Sequence, residues 1–277
     1  INKPKITLLF LLILLCSFGF FSKNFQLDAS SDTLLLENDP DLKYLREVNK
    51  NYGSEDYLVL TYTPKKKLLD ADTIENLTRL KEDLVNLNWS NKVITILDVP
   101  LLKNNDDPLA ERIKNFKTLS SDNVDKERGF QEIINSPIYK EFVISKDGKT
   151  SGILVYIKTD SKMSNFIKKK NNYLNKIADG TITSEESKNF KKFLKTYDNY
   201  KKLYNKKNHQ NINEIRNVIT KYKDNAKIHL GGIPMIADDM MTYVKNDIIV
   251  FGAGVFLFIL ATLWFVFRSF LWVFIPL

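Results

Sequence analysis

The chain has 277 residues, 41 of them Lys or Arg and 33 Asp or Glu, for a net charge of +8, with 12% aromatic residues and a hydrophobic share of 44%. Ten glycines and eight prolines exclude collagen-like and low-complexity chains, and one cysteine excludes an intrachain disulfide. Two histidines, His209 and His229, beside the single Cys16 leave no zinc constellation. The mean hydropathy of −0.24 conceals a concentration of apolar residues at the two ends.

Ile6 to Phe21 (ITLLFLLILLCSFGFF) carries no charge. At about 1.5 Å per residue it reaches about 24 Å, somewhat short of a hydrocarbon core about 30 Å thick. Lys3 and Lys5 precede it, which places the N-terminus in the cytoplasm. The run is read as a retained first membrane helix, residues 1–22. Ser17-Phe18-Gly19 only loosely resembles a signal-peptide cleavage site, and Leu15 before Cys16 argues against a lipoprotein signal.

Residues 23–247 contain no further span, so with Lys3, Lys5 and Arg268 inside, this segment is expected on the extracytoplasmic side. Its local patterns are those of an α+β domain. Asp56 to Tyr62 (DYLVLTY), ended by Pro64, reads as a buried strand. Asp72 with Glu75 has the spacing of a capping box, and Ile74, Leu77, Leu80, Leu84 and Leu87 line one face of a helix running to about Asn88. Lys92 to Leu97 is the next strand, closed by Pro100, and the two strands of this β-α-β unit should be parallel. Residues 101–135 read as a polar insertion with helical pieces around Asp122 to Ile134. Phe142 to Ser145 and Gly152 to Lys158 are expected as strands around Asp147-Gly148, a pair that supplies the positive φ of a tight turn.

From Asp160 to Asn211 the sequence holds 13 lysines against 5 acidic residues, and the rest of the chain balances at 28 against 28. Phe190, Phe193, Leu194, Tyr197 and Tyr204 fit one helical stripe, with Thr183 and Glu186 as its cap, so this basic insertion is read first as a solvated helical hairpin. Contact with anionic lipid headgroups is the second reading, and no nucleic-acid motif accompanies the lysines. Ile212, Ile215, Val218, Ile219 and Tyr222 make another amphipathic helix, and Ala226 to Leu230 is the last strand. With the insertions removed, the order is that of a split βαβ, ferredoxin-like sandwich, with helices on one face of an antiparallel sheet.

Gly231 and Gly232 permit a sharp exit from that strand, and Pro234 suits a helix's first turn, near which Asp238 and Asp239 complement the macrodipole. No breaker intervenes before Phe267, so one continuous helix is expected from about Ile236 into the second membrane span, Ile248 to Phe267 (IIVFGAGVFLFILATLWFVF), where Gly252 and Gly254 allow close helix approach. Arg268-Ser269 forms a turn, and Phe270 to Leu277 reads as the start of a third span, making the chain the front part of a larger protein.

Several segments resemble one family. Leu27 to Leu34 (LDASSDTL), Asn51 to Val59 (NYGSEDYLV), Leu97 to Leu102 (LDVPLL), Leu230 to Pro234 (LGGIP) and Phe267-Arg268-Ser269 with Pro276-Leu277 resemble, in order, the RND-superfamily exporters of the MMPL-like, hydrophobe/amphiphile efflux branch. The resemblance implies an RND porter-type extracytoplasmic domain between transmembrane α-helices. It also implies a transporter of the bacterial inner membrane, multi-pass, driven by the proton gradient and exporting lipids or other amphiphiles. Its implied partners are membrane lipids, a hydrophobic or amphiphilic substrate, protons carried by helices beyond Leu277, and a second copy of the chain, with no nucleic acid. The alternatives are a two-helix receptor with an extracytoplasmic sensing domain, at odds with apolar Phe270 to Leu277, and a SecD/SecF-like accessory of protein export. No nucleophile elbow, P-loop or metal-ligand spacing appears, so no catalytic, cofactor-binding or metal residue is assigned and an enzyme is not expected.

Overall fold

The computed structural model describes residues 4–22, 39–41, 44, 47–49, 55–103, 116–269 and 273. The motif at Leu27 to Leu34, Asn51 to Ser54, residues 104–115 of the polar insertion and nearly all of 270–277 lie outside the described residues. The chain divides into two compact units, one of Leu35–Met240 and one of Ile1–Leu34 with Met241–Leu277.

The larger unit is mixed α/β. Its strands are β1 (Tyr57–Pro64), β2 (Ser90–Ile94), β3 (Ser151–Ile157) and β4 (Ala226–Gly231), in the sheet order β2-β3-β1-β4. Every neighbouring pair is antiparallel, with Leu60 opposite Ile153 on one side of β1 and Leu230 on the other. The expected β-α-β strands therefore run in the same direction without pairing, because β3 lies between β1 and β2. In the same way β1 separates β3 from β4.

Alternation along β1 decides which face is covered. Leu58, Leu60 and Tyr62 are no more than 1% exposed, whereas Tyr57 and Thr61 face outward. Two helices bury that inner face. Helix α2 (Ala71–Val85), numbered after α1 (Pro4–Ser22) of the smaller unit, contributes Leu77, Leu80 and Leu84. The last three turns of the long helix α5 (Ser184–Lys221) contribute Ile212, Ile215, Val218 and Ile219. Hydrophobic burial of this kind is the main stabilising term, at about 1.5–3 kcal/mol per fully buried aliphatic side chain.

Several local expectations are corrected. Helix α2 starts at Ala71, with Asp70 as a cap whose side chain makes no capping bond, so Asp72 and Glu75 stand inside the first turns. There they pair with Lys66 and Arg79 instead of forming a capping box. Strand β2 stops at Ile94, because Thr95 and Asp98 close a 3₁₀ turn over Ile96–Asp98, the Asp98 carboxylate accepting from Thr95 N at 2.9 Å. In the polar insertion, α3 (Lys126–Asn135) is capped by Asp125, whose side chain accepts from Arg128 N.

The turn at Asp147-Gly148 forms with Gly148 at φ +68°, but Phe142 to Ser145 is no strand and meets β3 only through an isolated bridge, Ile144 to Ser151. Glu141 at φ +66° bends the chain out of extended geometry just before it. The basic stretch and the following amphipathic pattern are not separate helices. Helix α4 (Ser161–Ala178) turns at Gly180 into the 38-residue α5, which no Gly or Pro interrupts.

The C-terminal half of α5 is fastened to its surroundings by polar contacts as well. Trp89 Nε1 donates to Glu214 at 2.9 Å, and the hydroxyl of Tyr222, the C-cap residue, donates to Asp83 of α2 at 3.1 Å. Burial, then the bond to the Asp83 carboxylate and its charge, push the Tyr222 phenol up to about 12 from its ordinary value of 10. A raised folded-state value means stability fully present below pH 10 and lost as pH rises towards 12. Tyr222→Phe is expected to cost about 1 kcal/mol near neutral pH and to flatten that alkaline decline, as read by denaturant titration across pH 8–12.

In the smaller unit, α1 (Pro4–Ser22) carries the apolar run Ile6–Phe21. Helix α6 (Ile233–Phe267) begins in the larger unit and is, among the described residues, the one helix long and apolar enough to cross a membrane. Side chains such as Phe258 (71% exposed) and Phe265 (74%) are largely exposed, a surface that calls for apolar surroundings. The helix ends as expected at Arg268, which adopts φ +44° while its N–H bonds back to Trp264 O.

Candidate functional site

The exit from the sheet is built on Gly232. Its φ is +116°, and a Cβ there would stand 2.9 Å from Tyr57 O and 3.1 Å from Leu58 Cα. The backbone can therefore turn out of β4 against β1 only because the side chain is absent. Pro234 then sits in the first turn of α6, where no donor is lost.

Two aspartates in the following turn are held by α5. Asp238 is buried, at 8% exposure, and both its carboxylate oxygens lie 3.0 Å from His209 Nδ1. Asp239 accepts from Arg216 Nη2 at 2.8 Å, and Asn208 Nδ2 donates to Pro234 O at 3.0 Å. Asn213 reaches the other ring nitrogen of His209 at 3.0 Å. His209, Asn213 and Arg216 share one face of α5 at four- and three-residue spacing, beside the apolar stripe that meets the sheet. Removing a partner from a buried carboxylate leaves an uncompensated charge, so these pairs hold the second turn of α6 against α5.

The aspartates were singled out in the sequence only for their place near a helix N-terminus. Their partners on α5 were not, although the polar positions 209, 213 and 216 form a stripe that could have been read. His209 is thus engaged by a carboxylate, and His229 is exposed on β4. Cys16 is a free, exposed thiol on α1.

A second polar group lies where the hairpin leaves the sheet. Asp160 caps α4, accepting from Met163 N at 2.9 Å and from the Tyr200 hydroxyl at 2.8 Å. Burial opposes its ionisation, but these hydrogen bonds outweigh it and hold the carboxyl below the ordinary range. Tyr204 donates to Asp56 at 3.3 Å, and burial first, then the charge of Asp56, push its phenol well up.

Beyond that point the hairpin is held by rings. Tyr173 and Phe190 stand 4.9 Å apart and Phe166 and Phe193 5.8 Å apart, while Tyr197 is buried. The Thr183–Glu186 capping box closes the start of α5, and Glu186 also pairs with Lys176. The expected hairpin and cap are both present. Lysine amines lie over the ring faces, Lys162 at 4.6 Å from the Tyr200 centroid and Lys169 at 5.3 Å from that of Phe193.

Comparison with curated proteins gives no match. The His209–Asp238 and Arg216–Asp239 pairs, the Gly232 exit and the whole of α6 fall within one stretch, and it is this stretch, residues 200–277, that matches the model of the MMPL family.

Proposed function

We propose that the protein belongs to a proton-driven exporter that moves lipids or other hydrophobic and amphiphilic compounds out of the bacterial inner membrane. The observation that carries this reading is the MMPL match over residues 200–277, centred on a 35-residue helix whose apolar part has the length and composition of a membrane span. Residues 1–22 and 248–267 are assigned as the first and second spans and 270–277 as the start of a third. Residues 23–247 are assigned to the extracytoplasmic side. Lys3, Lys5 and Arg268 support that orientation.

The strand order supports a porter-type, ferredoxin-like reading of residues 23–247. Each β-α-β pair, β1 with β2 and β3 with β4, is split by a strand of the other pair, which is the interleaving that a split βαβ sandwich requires. In this reading the hairpin and the 101–135 segment are insertions into that sandwich.

The mechanism follows from the junction. Proton uptake elsewhere in the membrane displaces spans, and a displacement of α6 acts on α5 through Asp238 and Asp239. From α5 it reaches the sheet through Ile212, Ile215 and Trp89. The test is flux of a fluorescent amphiphile into inside-out vesicles containing the product of the intact gene. Uptake should appear on imposing a proton gradient and vanish with a protonophore. Flux indifferent to the gradient, or no flux above vesicles lacking the protein, overturns the proposal.

A further inference from the structure

Between α4 and α5 runs an open groove of about 500 Å³, within the ordinary range of small-molecule sites, about 300–1,000 Å³. One wall is Phe166, Lys169 and Tyr173 at three- and four-residue spacing on α4. The facing wall carries Lys192 and Phe193 on one face of α5, with Asn189 and Thr196 a turn to either side. The three rings are half-buried, with the Lys169 amine lying over Phe193.

Charge selects what that ligand is. No carboxylate lines the groove. Glu186 is engaged by Lys176 and the α5 cap and Asp160 by Tyr200 and the α4 cap, while exposed Glu185 lies two turns before Lys192 on α5. Lys169 and Lys192 have no acidic partner among the described residues, and they rise beside an aromatic floor. Two cations beside aromatic rings, Lys169 over Phe193 and Lys192 on the facing wall, match a molecule with an anionic head and an apolar body. Phe193 is tilted by 50° to Phe166 and by 42° to Tyr173, which makes a trough for a chain rather than a flat platform for stacked bases.

We propose that this groove binds an anionic amphiphile, its acid group between Lys169 and Lys192 and its apolar part along Phe166, Tyr173 and Phe193. The assignment rests on the exporter reading above and names the charge class of the compound handled. The hairpin thereby holds a surface binding place outside the sheet.

The experiment is photolabelling of the full chain in maltoside micelles with a diazirine-bearing decanoate, with labelled peptides mapped by mass spectrometry. Label is expected in 161–178 and 184–200, displaced by excess decanoate and not by decyltrimethylammonium. The Lys169→Gln/Lys192→Gln variant should lower groove labelling about fivefold, whereas Lys202→Gln/Lys206→Gln, with the same charge change elsewhere on α5, should leave it within about twofold. Circular dichroism checks that both pairs of exposed substitutions leave the helices intact. Label confined to α1 and α6, equal displacement by the cationic amphiphile, or equal loss in both variants overturns the proposal. Displacement by a polyanion such as heparin but not by decanoate also overturns it, in favour of a macromolecular partner. Groove labelling in a protein that shows no gradient-driven flux sinks the exporter reading alone, and flux without groove labelling sinks this site alone.

Discussion

Replacing Gly232 with alanine is expected to destabilise the larger unit by about 3–5 kcal/mol, combining a side chain forced to positive φ with overpacking against backbone. The new methyl would meet Tyr57 O at 2.9 Å and Leu58 Cα at 3.1 Å, both on the central strand, so relief requires β1 and β4 to part. Gly231 provides the control beside it, since a Cβ there meets only Val59 O at an ordinary 3.7 Å. Gly231→Ala should therefore change stability by no more than about 1 kcal/mol. Urea denaturation followed through the buried Trp89, with Trp264 and Trp272 changed to Phe, separates the two. Equal effects from the adjacent glycines would refute the steric account. Since Gly232 also sets the start of α6, the same substitution should raise amide exchange in β4 and the first turn of that helix.

A contrast of similar size is expected within α5. Ile215 is fully buried between the sheet and α2, and Ile215→Ala should cost about 2–5 kcal/mol, the lost burial plus the cavity left behind. Leu203, three turns earlier, is 62% exposed, and Leu203→Ala should stay within about 0.5 kcal/mol, alanine being the better helix former. Denaturation midpoints of the two variants measure this directly. If both substitutions cost the same, the division of the helix into a core-bound end and a solvated end is wrong.

That division was partly legible. The apolar positions 212, 215, 218 and 219 follow helical spacing and all four are buried, as spacing alone predicts when one face meets a sheet. The continuity of α5 was hidden because the pattern changes from an aromatic stripe to an aliphatic one near residue 204, which looks like a boundary although no breaker is present. The capping box at 72 and 75 failed for a different reason. Asp70, Asp72 and Glu75 offer competing starts, and the chain takes the earlier one, leaving the later acids to lysine and arginine. The strand at 142–145 failed because a turn signal fixes the bend and not the length of the limbs beside it. At the polar junction the stripe at 209, 213 and 216 was legible but its pairing was not, since it joins residues 23 and 29 positions apart.

The hairpin of α4 and α5 carries one further consequence. Its contacts are layered, with Tyr173 facing Phe190 and Phe166 facing Phe193 and Tyr197, so the layers recur after seven residues on α4. Seven residues are close to two whole turns, so excising one such increment from each limb removes a layer without rotating what remains. The projection can thus be lengthened or shortened in steps of about 10 Å while the sheet beneath it stays unchanged.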